Sequence, residues 1–229
     1  SFAAPNAKKI AYAASFGRDR WEADFESTLA AKYYISRFDR VSVREDDGVG
    51  ICRDVFGVEA SHVLDPVFLA DPAGWDALIE NSGRDENGCI VSYVLDSFPD
   101  AEKLAERVRL ETGAGKVVNL VNAARNSTDV SPEDWLCYIK NCRFLVTDSF
   151  HGVCFAIIFN RPFICLANTA RGYSRFRSLF KLFGLEKRCV TDCSRIGKEL
   201  FEDIDYARVN RVIADERERS LKWLEQALL

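Results

Sequence analysis

From residue 89 to residue 166 the chain alternates short apolar runs with segments of helical apolar spacing, and that alternation leaves few architectures open. CIVSYVL (89–95), KVVNLV (116–121), RFLVT (143–147) and PFICL (162–166) have the length and composition of buried strands. Helices are expected between them, over about 100–112, 132–140 and 152–159. Strands separated by helices run parallel, because each crossover returns the chain to the edge from which it set out, and both faces of the sheet are then covered by helix.

Upstream the same grammar is shorter. KIAYAAS (9–15) reads as a strand, and Phe25, Leu29, Tyr33 and Phe38 recur at helical spacing after it. In DRVSVRED the strand at 41–43 runs directly into Arg44, Glu45, Asp46 and Asp47, so charge gathers at its carboxyl end, and an amphipathic segment follows to Phe56. SHVLDPVFLAD supplies a third strand closed by Asp65-Pro66, since proline disfavours helix in the residue before it. A helical turn over 72–80 leads to NSGRDENG (81–88), a low-apolar break. These signals predict a first domain over 1–84, a second over 85–200, and C-terminal helices over 201–229 with Val209, Ile213, Leu221, Leu224 and Leu228 on one stripe.

Composition narrows the function classes. A net charge of −4 over 229 residues gives no general attraction to nucleic acid, so any polyanion has to meet a local cluster of arginines. The longest apolar runs fall far short of the roughly 20 residues that cross a bilayer, and the first residues carry no basic-then-apolar leader, which predicts a cytoplasmic protein. Of eight cysteines, Cys89, Cys142, Cys154 and Cys165 sit within apolar stretches, so reduced thiols acting as small hydrophobes are expected. The pairs Cys137/Cys142 and Cys189/Cys193 lack neighbouring histidines, and no metal site is predicted.

One loop stands out. In VTDSFHGVCFAIIF a buried strand stops at 148–152 before an apolar helix begins, and the loop holds His151, one of two histidines in the chain. Ligands of open parallel sheets bind outside the carboxyl ends of the strands. The unpaired N–H groups and the positive dipole end of the following helix favour an anion there, and Gly152 would let it approach the backbone. His151 beside such a site is a candidate general acid. The residues alone also permit a plainer account, in which Asp148 or Ser149 caps the helix and His151 is a polar surface group.

VTDSFHGVCFAIIFNRPF, IAYAASFG, DRVSVRED, VLDPVFL and LFGLEKR, in this order, resemble the polysaccharide pyruvyl transferase family. The resemblance implies an α/β, glycosyltransferase-B-like fold of two Rossmann-type units facing across a cleft, with the first unit truncated at its N-terminus in this chain, which has no methionine. It implies transfer of a pyruvyl group from phosphoenolpyruvate to two hydroxyls of a sugar, forming a ketal in cell-surface polysaccharide biosynthesis. No cofactor is implied. The partners are phosphoenolpyruvate and a sugar or lipid-linked oligosaccharide acceptor, with peripheral contact where the acceptor is membrane-bound.

His151 matches the family's motif histidine, its acid/base and phosphate contact, and Arg44 matches the arginine ending the first domain's S-x-R strand, an anion clamp. Ser149 stands where one branch of the family has an arginine, so one phosphate-binding cation is lost there. Among Arg171, Arg175 and Arg177, Arg175 is the expected replacement, with a solvated helix face as the plainer account. Glu45 is a candidate to orient Arg44 or to act on the acceptor hydroxyl, or else is a surface charge. Ser15 and Gly17 are expected to line the site, and His62 to be structural. Two other classes remain open at this point: a nucleotide-sugar glycosyltransferase, for which no clear Glu-x7-Glu arrangement is present, and a catalytically degenerate assembly subunit, motivated by Ser149.

Overall fold

In the computed structural model the described residues are 7–84, 87–121, 130–169, 172–193 and 196–229. They form an α/β protein with two parallel sheets. The elements fall into two compact units: the described residues of Ser1–Leu69, Ala170–Leu182 and Arg211–Leu229 make the first, and those of Ala70–Thr169 and Phe183–Asn210 the second. Residues 70–84, which the composition break groups with the first domain, thus belong to the second unit, and the chain returns to the first unit twice.

In the first unit β1 (Ile10–Ala14), β2 (Arg40–Val43) and β3 (Ser61–His62) lie side by side in that order, all parallel. Val41, Val43 and Cys52 form the core beside them. Helix α1 (Phe25–Ile35) is capped by Asp24, whose side chain accepts from Ser27 N. The Phe25, Leu29, Tyr33 and Phe38 stripe that signals this helix in the sequence is exposed, at 77%, 51%, 61% and 39%. Spacing was enough to fix the helical state without any burial of the stripe. A short helix α2 (Asp46–Ile51) follows β2 and runs on through a wider π-type turn over Cys52–Phe56, ended by Gly57 in the left-handed conformation.

In the second unit β4 (Ile90–Tyr93), β5 (Val117–Asn119), β6 (Phe144–Thr147), β7 (Phe163–Leu166) and β8 (Cys189–Val190) make a parallel sheet in the order β5-β4-β6-β7-β8. Alternate residues along these strands point to opposite faces. Ile90, Phe144, Val146, Ile164 and Leu166 meet Leu104, Ala105 and Val108 of α4 (Ala101–Thr112) in one core. Val91, Leu145, Phe163 and Cys165, equally buried, have the opposite strand parity. Helices α3 (Pro72–Glu80), α5 (Pro132–Asn141) and α6 (Phe150–Ile158) pack on one another, with Trp75 and Trp135 edge-on to Phe155.

The C-terminal stretch is one long helix, α8 (Tyr206–Leu228), and within the first unit its later turns brace the sheet. Trp223 packs on Tyr12 with ring centroids 5.9 Å apart, and Ser220 Oγ accepts from Leu64 N. Burial pushes the Tyr12 hydroxyl, which donates to Leu64 O, up to about 12. All eight cysteines are free thiols. Among the described residues no helix is long and apolar enough to cross a membrane.

Candidate functional site

In the second unit the sheet order places the reversal of winding at β4 and β6, since β4 leads outward to β5 while β6 lies on its other side. The crevice outside the carboxyl ends of such strands is where open α/β sheets take their ligands. The loop after β6 holds Asp148, Ser149 and then His151 in the first turn of α6. The loop after β4 is tied to it, because the Asp148 carboxylate accepts from Leu95 N at 2.8 Å and from Asp96 N at 2.7 Å. Burial nevertheless pushes the Asp148 carboxyl above its ordinary value, those two hydrogen bonds offsetting it only in part. Asn168, after β7, donates from Nδ2 to Asp96 at 3.1 Å and extends the tie to a third strand end.

His151 is exposed on the first turn of this helix, its ring 5.6 Å from that of Phe150 and nearly perpendicular to it. The capping account of the loop holds for Ser149. Ser149 is the N-cap: its Oγ accepts from Gly152 N at 3.2 Å, and its own N–H donates to Thr147 Oγ1. A serine so placed satisfies one orphan donor of the helix and leaves those nearer the start pointing outward.

Gly152 also has a packing task. It is buried, and a Cβ built on it would stand 2.7 Å from Thr147 Oγ1 and 3.3 Å from Thr147 Cγ2. The absence of a side chain lets α6 pack against the end of β6.

The first unit gathers the other candidates. Arg44, just beyond β2, donates from its guanidinium to Asp65 Oδ2 at 2.5 Å. The pair is largely buried, with side-chain exposures of 17% and 2%. Asp65 also caps the short 3-10 turn Pro66–Phe68 by accepting from Val67 N. The Asp-Pro pair is thus both a strand terminator and the seat of the arginine.

Glu45, weighed in the sequence as a surface charge, is fully buried at 0% exposure. Its Oε1 accepts from Ser15 Oγ, Phe16 N and Gly17 N, at 3.1, 2.5 and 3.0 Å, so it ties the loop after β1 to the end of β2. The same loop follows a bulge at Ala13, whose φ of 51° is rare for a residue with a Cβ and marks stored strain beside the site. Charged runs normally read as solvated surface, which hides a buried carboxylate of this kind; its one signal is its place immediately after the S-x-R strand.

Arg175 lies in the first unit rather than in the second domain of the sequence reading, on α7 (Tyr173–Phe183). Its guanidinium covers Gly172, where an added Cβ would meet Nη2 at 2.5 Å, and Gly172 in turn comes close to Gly17. The first unit therefore brings Ser15, Gly17, Arg44, Glu45 and Arg175 to the carboxyl end of its own sheet. Arg177 is ion-paired with Asp47 on the surface, and Arg171 lies outside the described residues. His62, on β3, stands 3.3 Å from Ser178 Oγ, which accepts from Asp46 N, a bracing role.

Two parallel-sheet units, each with charged or titratable groups at strand carboxyl ends, define the chain as a parallel α/β protein. The model of the polysaccharide pyruvyl transferase family matches residues 1–169, and the chain belongs to that family. No curated protein matches it. Among solved structures it is similar to a wall teichoic acid polymerase TagF, an H444N variant, with 14% identity and a TM-score of 0.40. That match covers 87% of this chain and 62% of the other, so the chain spans less than two thirds of the length of this structural relative.

Proposed function

We propose that the protein transfers the pyruvyl group of phosphoenolpyruvate to two hydroxyls of a sugar, giving a cyclic ketal and inorganic phosphate, and that it follows a glycosyltransferase-B-like plan. The observation that carries this reading is the position of His151: exposed, on the first turn of α6, at the switch point of the second unit's sheet, within the stretch matched by the family model.

The chemistry needs one proton donor and anion-binding groups. The imidazolium of His151 gives a proton to the methylene carbon of phosphoenolpyruvate, which becomes the methyl group, and the cation formed at the neighbouring carbon is attacked by the first sugar hydroxyl. The second hydroxyl then displaces phosphate from the same carbon. Of the two hydroxyl protons released, one restores His151 and the other leaves with the phosphate, so the balance closes. The helix N-terminus favours the donor's negative charge; within the first unit Arg44, held in place by Asp65, is a guanidinium suited to a carboxylate or phosphate.

Phosphate release from phosphoenolpyruvate with a sugar acceptor tests the assignment. Removing a general acid costs about 10²–10⁴-fold in rate, so His151→Ala should lower kcat by that order while the donor still binds. Wild-type turnover in His151→Ala would overturn it.

A further inference from the structure

We propose that a cavity of the second unit is the seat of the acceptor, and that it takes a sugar carrying a phosphate. The cavity measures about 650 Å³ and opens beside the loop after β4, the first turns of α4 and the loops after β7 and β8. Residues 148–152 do not line it, so it is distinct from the α6 N-terminus. Ligand pockets for small molecules run to about 300–1,000 Å³, and this one is large enough for more than a single three-carbon donor.

Its lining is specific in kind. Asp192 and Thr169 present oxygen atoms, and the Asn168 amide both donates and accepts, which is the mixture that pairs with vicinal hydroxyls. Phe98 offers a carbon face for the C–H side of a pyranose ring. Lys103 and Arg107 stand four residues apart on α4, hence on one face of the helix, and both are exposed at the cavity. Lys103 is held by Asp100 at 2.6 Å, which leaves Arg107 as the principal cation for a phosphate. Two cations, Lys103 and Arg107, face two carboxylates, Asp100 and Asp192. A balanced lining of this sort has little attraction for a compact trianion such as phosphoenolpyruvate, and suits a hydroxyl-rich neutral body with one anionic end.

Proximity to the donor site follows from a short chain of hydrogen bonds. Asn168 lines the cavity and donates to the Asp96 carboxylate, and the Asp96 N–H donates to Asp148, three residues before His151. The cavity and the helix N-terminus thus share one rigid tie, as a reaction joining two substrates requires. This inference rests on the pyruvyl-transfer reading for the role of its ligand, but its binding chemistry stands on the cavity alone.

Isothermal titration of the whole protein with galactose 1-phosphate and N-acetylglucosamine 1-phosphate tests it, with free galactose, free N-acetylglucosamine and inorganic phosphate as controls. At least one glycosyl phosphate should bind at least tenfold more tightly than its free sugar or phosphate. Asp192→Asn and Arg107→Gln should each raise its Kd by about tenfold, the scale of a lost hydrogen bond to a charged group, while His151→Ala leaves Kd unchanged. Both altered side chains are exposed, so folding is preserved and circular dichroism verifies it. Sugars linked to uridine diphosphate and to a short prenyl diphosphate separate the two sources of such a ligand: tighter binding of either supports the proposal and names its source. Failure of every glycosyl phosphate to bind, or an unchanged Kd in both variants, overturns it. Binding through Asp192 and Arg107 without phosphate release from phosphoenolpyruvate would keep this site and remove the pyruvyl-transfer reading; turnover with no effect of either variant would do the reverse.

Discussion

Replacing Gly152 by alanine separates two explanations of a glycine in the turn that carries His151. If glycine is there to admit an anion, alanine should stabilise the folded protein, because alanine is better than glycine within a helix by about 0.5–1 kcal/mol. The structure argues the other way. The new Cβ would stand 2.7 Å from Thr147 Oγ1, closer than such contacts occur, and 3.3 Å from Thr147 Cγ2 and Ser149 Cβ. Thr147 cannot swing aside, since it is fully buried and its hydroxyl donates to Tyr93 O at 2.7 Å while accepting from Ser149 N at 3.0 Å. Overpacking of this kind costs about 1–3 kcal/mol; with the propensity gain subtracted, Gly152→Ala should lose about 1–2 kcal/mol. Urea denaturation followed by circular dichroism measures this. In a Thr147→Ala background the obstructing atoms are gone, and the same change should then be neutral or stabilising, so the double-mutant cycle shows a coupling of about 1–2 kcal/mol. A stabilised Gly152→Ala single variant, or additive effects in the cycle, would refute the packing account and restore the anion-approach one.

Arg44→Ala should cost about 3 kcal/mol in urea denaturation even without ligand, because it removes the guanidinium from a carboxylate that is only 2% exposed; adding Asp65→Asn should recover part of the loss, and a double variant as unstable as the sum would deny the pair its structural role. Burial pushes the Asp134 carboxyl up, but hydrogen bonds from Ser82 and Arg84 and the charge of Arg84 outweigh it, so the group sits below its ordinary value. Its contribution is therefore present above the unfolded value of about 4 and fades as pH falls through the folded one, so the stability gap between wild type and Asp134→Asn should narrow from pH 7 to pH 3. A gap that widens toward acid would contradict that sign. Titration with a thiol reagent at pH 7.5 should find two reactive cysteines in the native protein, Cys189 and Cys193, and eight after denaturation. Cys189 should react first, since a hydrogen bond from Cys165 favours its thiolate.

The local elements of both units were largely legible in the sequence, but which later segments join the first unit was not, for a physical reason that particular residues show. Between 89 and 166 the strands β4, β6 and β7 are runs buried on both faces, and the helices between them read through their apolar spacing, so β4, β6, β7, α4, α5 and α6 fall within one to three residues of their expected bounds. The sheet is parallel, as that alternation requires. Local pattern reports local state, and most strands of this sheet pair with a strand next to them along the chain. Where the chain leaves a unit and comes back, that link breaks. Arg175 follows β7 by nine residues and was grouped with it, yet α7 belongs with β1 and β2, because Asp46 N donates to Ser178 Oγ and Lys181 pairs with Asp46. Nothing in the composition of ARGYSRFRSLF states which sheet it will cover. The same holds for α8, whose apolar stripe was visible but whose partner, Tyr12 and Leu64 some 150 residues or more upstream, was not.

Electrostatic roles were hidden for a related reason. RED at 44–46 reads as one solvated cluster, but in the structure its three charges part company: Arg44 goes to buried Asp65, Glu45 turns inward to hold the loop over 15–17, and Asp46 meets Lys181 at the surface. A strand's carboxyl end in a parallel sheet forces this divergence. Successive side chains there alternate in direction, and the chain must turn at once into a helix, so neighbours in sequence face different surroundings. Burying Glu45 is costly unless its oxygen finds several donors, and the loop after β1 provides three. Ala13, at positive φ in the β1 irregularity, lies just before that loop. The carboxylate next to Arg44 is therefore not a spare surface charge. It ties the loop over 15–17 to the strand end from which Arg44 projects, and so helps to build the frame that holds the arginine.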